Sequence, residues 1–149
     1  MKAHPDFVEF VSAMNKNEVE FVIVGAYALA FHGHPRATGD IDFYIRPEKK
    51  NAQKLLAALI DFGFGELDIR TNDVISGKII QLGFPPVRID LISKLDGLSD
   101  QEIWNSREKG SFAGMPVWYL SKDSFIKNKR QAGRHKDFAD LELLGEKIP

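Results

Sequence analysis

The sequence predicts an α+β domain, a mixed sheet with helices on one side and a helical C-terminal extension. Three observations carry that reading. Short apolar runs rich in Val, Ile and Phe recur between residues 19 and 93. Stretches with apolar residues every three or four positions lie between and around them. Two of the apolar runs, "GKIIQLG" and "VRIDLIS", are separated only by the turn "FPP".

Taken in order, residues 6–16 place Phe7, Phe10, Val11 and Met14 at helical spacing. "VEFVIVG", 19–25, is a buried strand that ends at Gly25, and "AYALAFHG", 26–33, leaves it as a short helix. "DIDFYI", 40–45, is the second strand. Pro47 and Glu48 open a helix through Phe62 with Leu55, Leu56, Leu59 and Ile60 on its apolar face. Residues 77–83 and 87–93 are the two strands about the "FPP" turn. A helix follows at 99–109, then a short hairpin about Gly114 within 110–120. Ser121 caps a helix that Gly133 ends, and a last helix spans about 137–144. The chain is read as one domain over 1–149, with a core at about 17–95 and a helical and hairpin extension at about 96–149.

Composition narrows the classes. A chain of 149 residues, 44% apolar and 28% charged, is long enough to bury a core. No apolar run approaches a membrane span, and "MKAHPDFVEF" is too acidic and broken for a signal peptide. The absence of cysteine excludes disulfides and thiolate metal sites, which fits a cytoplasmic protein. A net charge of −1 gives no global attraction to nucleic acid or membranes. Charge is uneven, however: residues 121–136 hold Lys122, Lys127, Lys129, Arg130, Arg134 and Lys136 against Asp123 alone.

The chemistry concentrates in carboxylates on strands. Asp40 and Asp42 alternate with Ile41 and Phe43, so both acids share one strand face. Asp90 sits alone between Ile89 and Leu91, where an unpaired charge costs several kcal/mol. If the strand at 87–93 lies beside that at 40–45, the three acids form one cluster. Such a cluster suits a hard, oxygen-loving ion, Mg²⁺ or Mn²⁺. The alternatives are a solvated strand end for Asp40 and Asp42, and an ion pair with Arg88 or Lys94 for Asp90. Upstream, Gly25 permits a sharp turn and close backbone approach, and the helix start behind it offers free N–H groups to phosphates. An ordinary strand–helix connection would look the same.

Arg36 and Thr38 lie in the loop before the aspartates. Arg36 either neutralises phosphate charge or tethers the loop to an acid; Thr38 either bonds Asp40 or shapes the turn. His32 is read as bonding a backbone carbonyl, and His34 as exposed. The cations Lys129 and Arg134, on either side of the Gly133 break, either converge on a nucleotide or form a solvated basic face with Asp137 as a helix cap. As exposed charges they would add little to folding.

"GAYALAFHGHPRATGDIDFYI" resembles the opening motif of the DNA polymerase β-like nucleotidyltransferase superfamily, with a third Asp on a later strand. Its H-G-x-x-R-x-T-x-D-x-D form is similar to small bacterial and archaeal nucleotidyltransferases, including those of the type IV toxin–antitoxin group. The resemblance runs on through "KIIQLGFPPVRIDLIS" and "KNKRQAGRHKDFADLELL". It implies that Asp40, Asp42 and Asp90 bind the metals, with Asp90 also helping to activate the acceptor hydroxyl. It sets Gly25 and Ala26 at the nucleotide phosphates, and Lys129, Arg134 and Asp137 on a K-x-x-x-x-R-x-x-D element near the nucleotide. Ala26 is a departure, since many members carry Ser or Gly there; backbone N–H groups would have to serve.

The expected activity is transfer of a nucleoside monophosphate from a nucleoside triphosphate to an acceptor hydroxyl, with Mg²⁺ or Mn²⁺, releasing pyrophosphate. The acceptor is RNA such as a tRNA end, a protein side chain or a small molecule, held by a partner protein or a second copy. The alternative is a non-catalytic module of the same fold, such as one component of a toxin–antitoxin pair.

Overall fold

Helix α1 (Pro5–Lys16) forms where Phe7, Phe10, Val11 and Met14 recur, and all four are buried. Pro5 opens it, and Nδ1 of His4 accepts the backbone N–H of Asp6 at 3.0 Å. The computed structural model describes residues 3–148. Strand β1 (Phe21–Val24) is buried throughout and runs into α2 (Gly25–Phe31). β2 (Asp40–Ile45) returns antiparallel to β1, with Ile23 opposite Phe43. α3 (Lys49–Phe62) ends at Gly63 in the left-handed conformation, φ 104°.

A short helix, α4 (Thr71–Ile75), precedes β3 (Ile80–Leu82) and β4 (Arg88–Ile92), an antiparallel pair about the Phe84–Val87 turn. Next come α5 (Asp100–Ser106) and the hairpin β5 (Glu108–Phe112) and β6 (Met115–Tyr119). α6 (Lys122–Ala132) is capped by Ser121 and stopped by Gly133 at φ 65°. α7 (His135–Leu143) closes the fold.

The six strands form one sheet in the order β3-β4-β2-β1-β6-β5. β6 joins β1 in parallel, with Leu120 N–H donating to the Ile23 carbonyl at 3.0 Å, so the C-terminal hairpin extends the same sheet as the core. The sheet is mixed, as the sequence predicts, because β2 also pairs with β4 in parallel.

One sheet face carries Phe21, Ile23, Phe43 and Ile45. Phe43 meets Phe10 of α1 at 5.4 Å between ring centroids, and Phe10 meets Phe62 of α3 at 5.2 Å. The other face carries Asp42 and Tyr44. It is not open, which corrects the expectation of helices on one side only. The Tyr44 hydroxyl donates to Asp100 of α5 at 2.7 Å, and Phe125 of α6 is buried beside the cleft that holds Asp42. A sheet buried on both faces needs a second layer, and α5 and α6 supply it.

Candidate active site

The parallel pairing of β2 with β4 builds the site. Its register sets Asp42 beside Asp90 and Asp40 beside Arg88. Residues in register on parallel strands point to the same face, so the side chains of all four converge. Carboxylate oxygens of Asp40, Asp42 and Asp90 lie within 4.8 Å of one another. They open into a cleft of about 630 Å³ that Gly25, Arg36, Thr38, Arg88, Lys129 and Arg134 also line.

Gly25 sits against this cluster with φ +65°, a conformation that side chains disfavour. A Cβ there would lie 3.0 Å from Cγ of Asp42 and would collide with its Oδ2. The glycine is therefore required twice, by the turn and by the close approach of backbone to carboxylate. Ala26 is different: its side chain is 3% exposed and does not line the cleft.

The electrostatics are unequal among the acids. Burial pushes the Asp42 carboxyl up to about 7, aided by the charges of Asp40 and Asp90 and a hydrogen bond shared with Asp90, while Lys129 opposes the shift. Arg88 forks onto both oxygens of Asp90, Nε to Oδ1 at 2.8 Å and Nη2 to Oδ2 at 3.0 Å. The same Nη2 reaches Oδ2 of Asp40 at 2.6 Å. Hydrogen bonding to Asp90 holds the Arg88 guanidinium more firmly protonated than usual. The ion pair of Asp90 with Arg88 thus exists alongside the acidic cluster. Thr38 Oγ1 donates to Oδ1 of Asp40 at 2.9 Å, which orients that carboxylate.

The cations on the far wall are not free. Lys129 is buried and donates to Asp137 Oδ1 at 3.1 Å, with Asp140 Oδ2 at 3.3 Å. Arg134 bonds Asp137 through Nε at 2.7 Å and Nη2 at 3.2 Å. Arg36 clamps Asp140 through Nε at 2.8 Å and Nη2 at 3.1 Å, tethering the loop before β2 to α7. Burial pushes the Asp137 carboxyl up, but the Arg134 hydrogen bonds and the Lys129 charge bring it below the usual carboxylate range. Asp137 also accepts the Arg134 backbone N–H at 3.1 Å and so caps α7. The picture of exposed, independent cations is corrected for Lys129, which sits between two buried acids.

Sequence reasoning did not single out Asp140, and it treated Arg88 only as a rival partner of Asp90. The signal for Asp140 was its spacing of three from Asp137, which places both on one face of α7. His32 Nε2 lies 2.7 Å from the Leu120 carbonyl, the backbone contact expected of it, whereas His34 is half-buried.

The donor set fits a hard divalent ion. It holds three carboxylates with no nitrogen or sulfur ligand, and one of them is driven toward protonation first by burial and then by the charges of the other two.

The whole fold recurs in solved structures. A Thermotoga maritima protein assigned as a nucleotidyltransferase superposes with a TM-score of 0.61 at 15% identity, covering 98% of this chain and 97% of that one. ANT(2")-Ia, solved with adenylyl-2"-tobramycin, superposes with a TM-score of 0.55 at 18% identity, over 92% of this chain and 84% of its own. At such identities the likeness is one of fold. No curated protein matches the chain in sequence. The family described as "Nucleotidyl transferase of unknown function (DUF2204)" matches residues 3–149, and the chain belongs to that family of nucleotidyl transferases.

Proposed function

We propose that the protein moves a nucleoside monophosphate from a nucleoside triphosphate to an acceptor hydroxyl, using Mg²⁺ or Mn²⁺ held by Asp40, Asp42 and Asp90. The observation that carries this is the convergence of the three carboxylates in a cleft that Arg36, Lys129 and Arg134 also line. A divalent ion held by these three carboxylates would supply neutralisation of the phosphate charge and activation of the α-phosphorus toward attack. Asp90 takes the proton of the acceptor hydroxyl as its oxygen bonds to the α-phosphorus. The bond from the α-phosphorus to the bridging oxygen breaks, and pyrophosphate leaves. Lys129, Arg134 and Arg36 offset charge on the phosphates from the far wall. Gly25 and the Ala26 backbone allow the triphosphate to approach the chain closely.

The acceptor belongs to one of three classes: RNA such as a tRNA end, a protein side chain, or a small molecule. The likeness to ANT(2")-Ia, whose complex contains an adenylylated small molecule, keeps the third class in view. We place the protein in the cytoplasm; no helix among the described residues is long and apolar enough to cross a membrane. The test is incubation with each of the four nucleoside triphosphates, labelled at the α-phosphate, with Mg²⁺ and cell extract. Label in one acceptor, sorted by nuclease and protease sensitivity, supports the reading. A parallel incubation with γ-labelled triphosphates is the control: an acceptor labelled from the γ-phosphate and not from the α-phosphate overturns it.

A second reading rests on Arg88, which already occupies oxygens of Asp40 and Asp90. On it the protein is a non-catalytic module, such as one component of a toxin–antitoxin pair, with a partner protein or a second copy as its ligand. Stable association with a partner, with no label transfer in its presence, would favour that reading.

A further inference from the structure

Four of the five cations lining the cleft are Arg36, Lys129, Arg134 and Arg88; the fifth, Lys136, is exposed. The first three are tied to Asp137 and Asp140 of α7, acids outside the carboxylate cluster. Arg88 alone is tied to the cluster itself, through both oxygens of Asp90 and Oδ2 of Asp40. A divalent ion held by those carboxylates needs the same oxygens. It also repels a guanidinium at contact distance. The Arg88 side chain is about a quarter exposed and faces the cleft, so it leaves the cluster without disturbing the core. The fork geometry that fits a carboxylate also fits a phosphate.

We infer that Arg88 is a two-position substrate-binding residue: it serves as the counter-cation of the acids in the metal-free protein, and turns to the triphosphate of the substrate once a divalent ion takes its oxygens. The inference rests on the nucleotidyl-transfer reading above. Metal binding and phosphate binding are then coupled through one side chain. Arg88 weakens the binding of metal alone and strengthens the binding of metal with triphosphate.

The test measures two affinities at pH 8 in wild type, Arg88→Gln and Arg88→Lys: Mn²⁺ alone, by electron paramagnetic resonance, and inorganic triphosphate at saturating Mg²⁺, by calorimetry. Arg88→Gln is expected to bind Mn²⁺ at least ten-fold more tightly and triphosphate at least ten-fold more weakly. Arg88→Lys keeps the charge but not the fork and is expected to fall between on both. Unchanged or weaker Mn²⁺ binding in Arg88→Gln overturns the displacement, and unchanged triphosphate binding overturns the second position. Mn²⁺ affinity equal in wild type and Arg88→Lys would mean that Arg88 acts as a distant charge, and also overturns the inference. Should Arg88→Gln fail to fold, the wild-type Nε–H resonance absent from the Arg88→Lys spectrum serves instead: Mg²⁺ must shift or broaden it, and an unmoved resonance is a refutation. Wild type that binds neither Mn²⁺ nor triphosphate refutes the nucleotidyl-transfer reading itself. Normal binding of both, indifferent to Arg88, refutes this inference alone.

Discussion

Gly25 ties local backbone to chemistry at a single residue. Its positive φ and its contact with Asp42 leave no room for a side chain. Gly25→Ala is expected to cost about 1–3 kcal/mol in strain and to push Asp42 out of the cluster, so thermal stability and metal binding fall together. Ala26→Ser is expected to give no gain in nucleotide affinity, because its side chain is buried and does not line the cleft. Asp42 predicts a pH dependence. Its carboxyl binds a proton up to about pH 7 in the folded protein and only to about 3.8 in the unfolded chain. The folded state holds the extra proton between those values, so this residue's contribution to stability falls as pH rises from about 4 to 7. The slope amounts to at most about 4 kcal/mol across the window. Asp42→Asn should flatten it in urea titrations of the metal-free protein, and stabilisation by Mg²⁺ should grow over the same window in wild type. Lys129 gives a contrast with Arg134. Lys129→Ala removes the cation shared by two buried acids, each of which keeps one arginine, and is expected to destabilise by about 1–3 kcal/mol. Arg134→Ala, at a side chain 61% exposed, should cost about 1 kcal/mol or less in chemical denaturation.

Among the elements, the strands about the acids were legible because alternation is local. Ile41, Phe43, Ile89 and Leu91 mark the buried positions, and the aspartates fall between them. What alternation could not give was register. Only the parallel pairing of β2 with β4 brings Arg88 beside Asp40 as well as Asp90. The helix expected over 99–109 ends at Ser106 instead, and β5 begins at Glu108. Arg107 takes an extended conformation with its guanidinium between Trp104 and Trp118, 3.8 and 4.1 Å from the ring centroids. That cation–π stack joins α5 to β6, and no local pattern announces it. α4 went unread because five residues are too few for a helical period. The buried state of Asp137 and Asp140 was hidden for a related reason: acids on a helix read as solvated until their partners, from α6 and the loop before β2, are known. The Arg36–Asp140 clamp predicts a local effect. Arg36→Ala should raise hydrogen exchange in residues 33–39 while leaving β1 and β2 protected, because the sheet does not depend on the tether.

For the whole molecule, family membership and fold agree with the chemistry that the strand acids suggested. The C-terminal extension is built into the same sheet and the same cleft as the core. β6 lies in the sheet beside β1, and α6 and α7 carry the cationic wall. On our proposal, nucleotidyl transfer depends on a divalent metal held by Asp40, Asp42 and Asp90. Its most direct measurement is transfer of α-phosphate label into acceptor by wild type and Asp42→Asn, with Mg²⁺ and with chelator, alongside released pyrophosphate. Label and pyrophosphate are expected in equal amounts for wild type with Mg²⁺, with a loss of at least 100-fold (about 2.7 kcal/mol) in the variant or with chelator. Transfer undiminished in Asp42→Asn, or undiminished by chelator, would contradict the proposal.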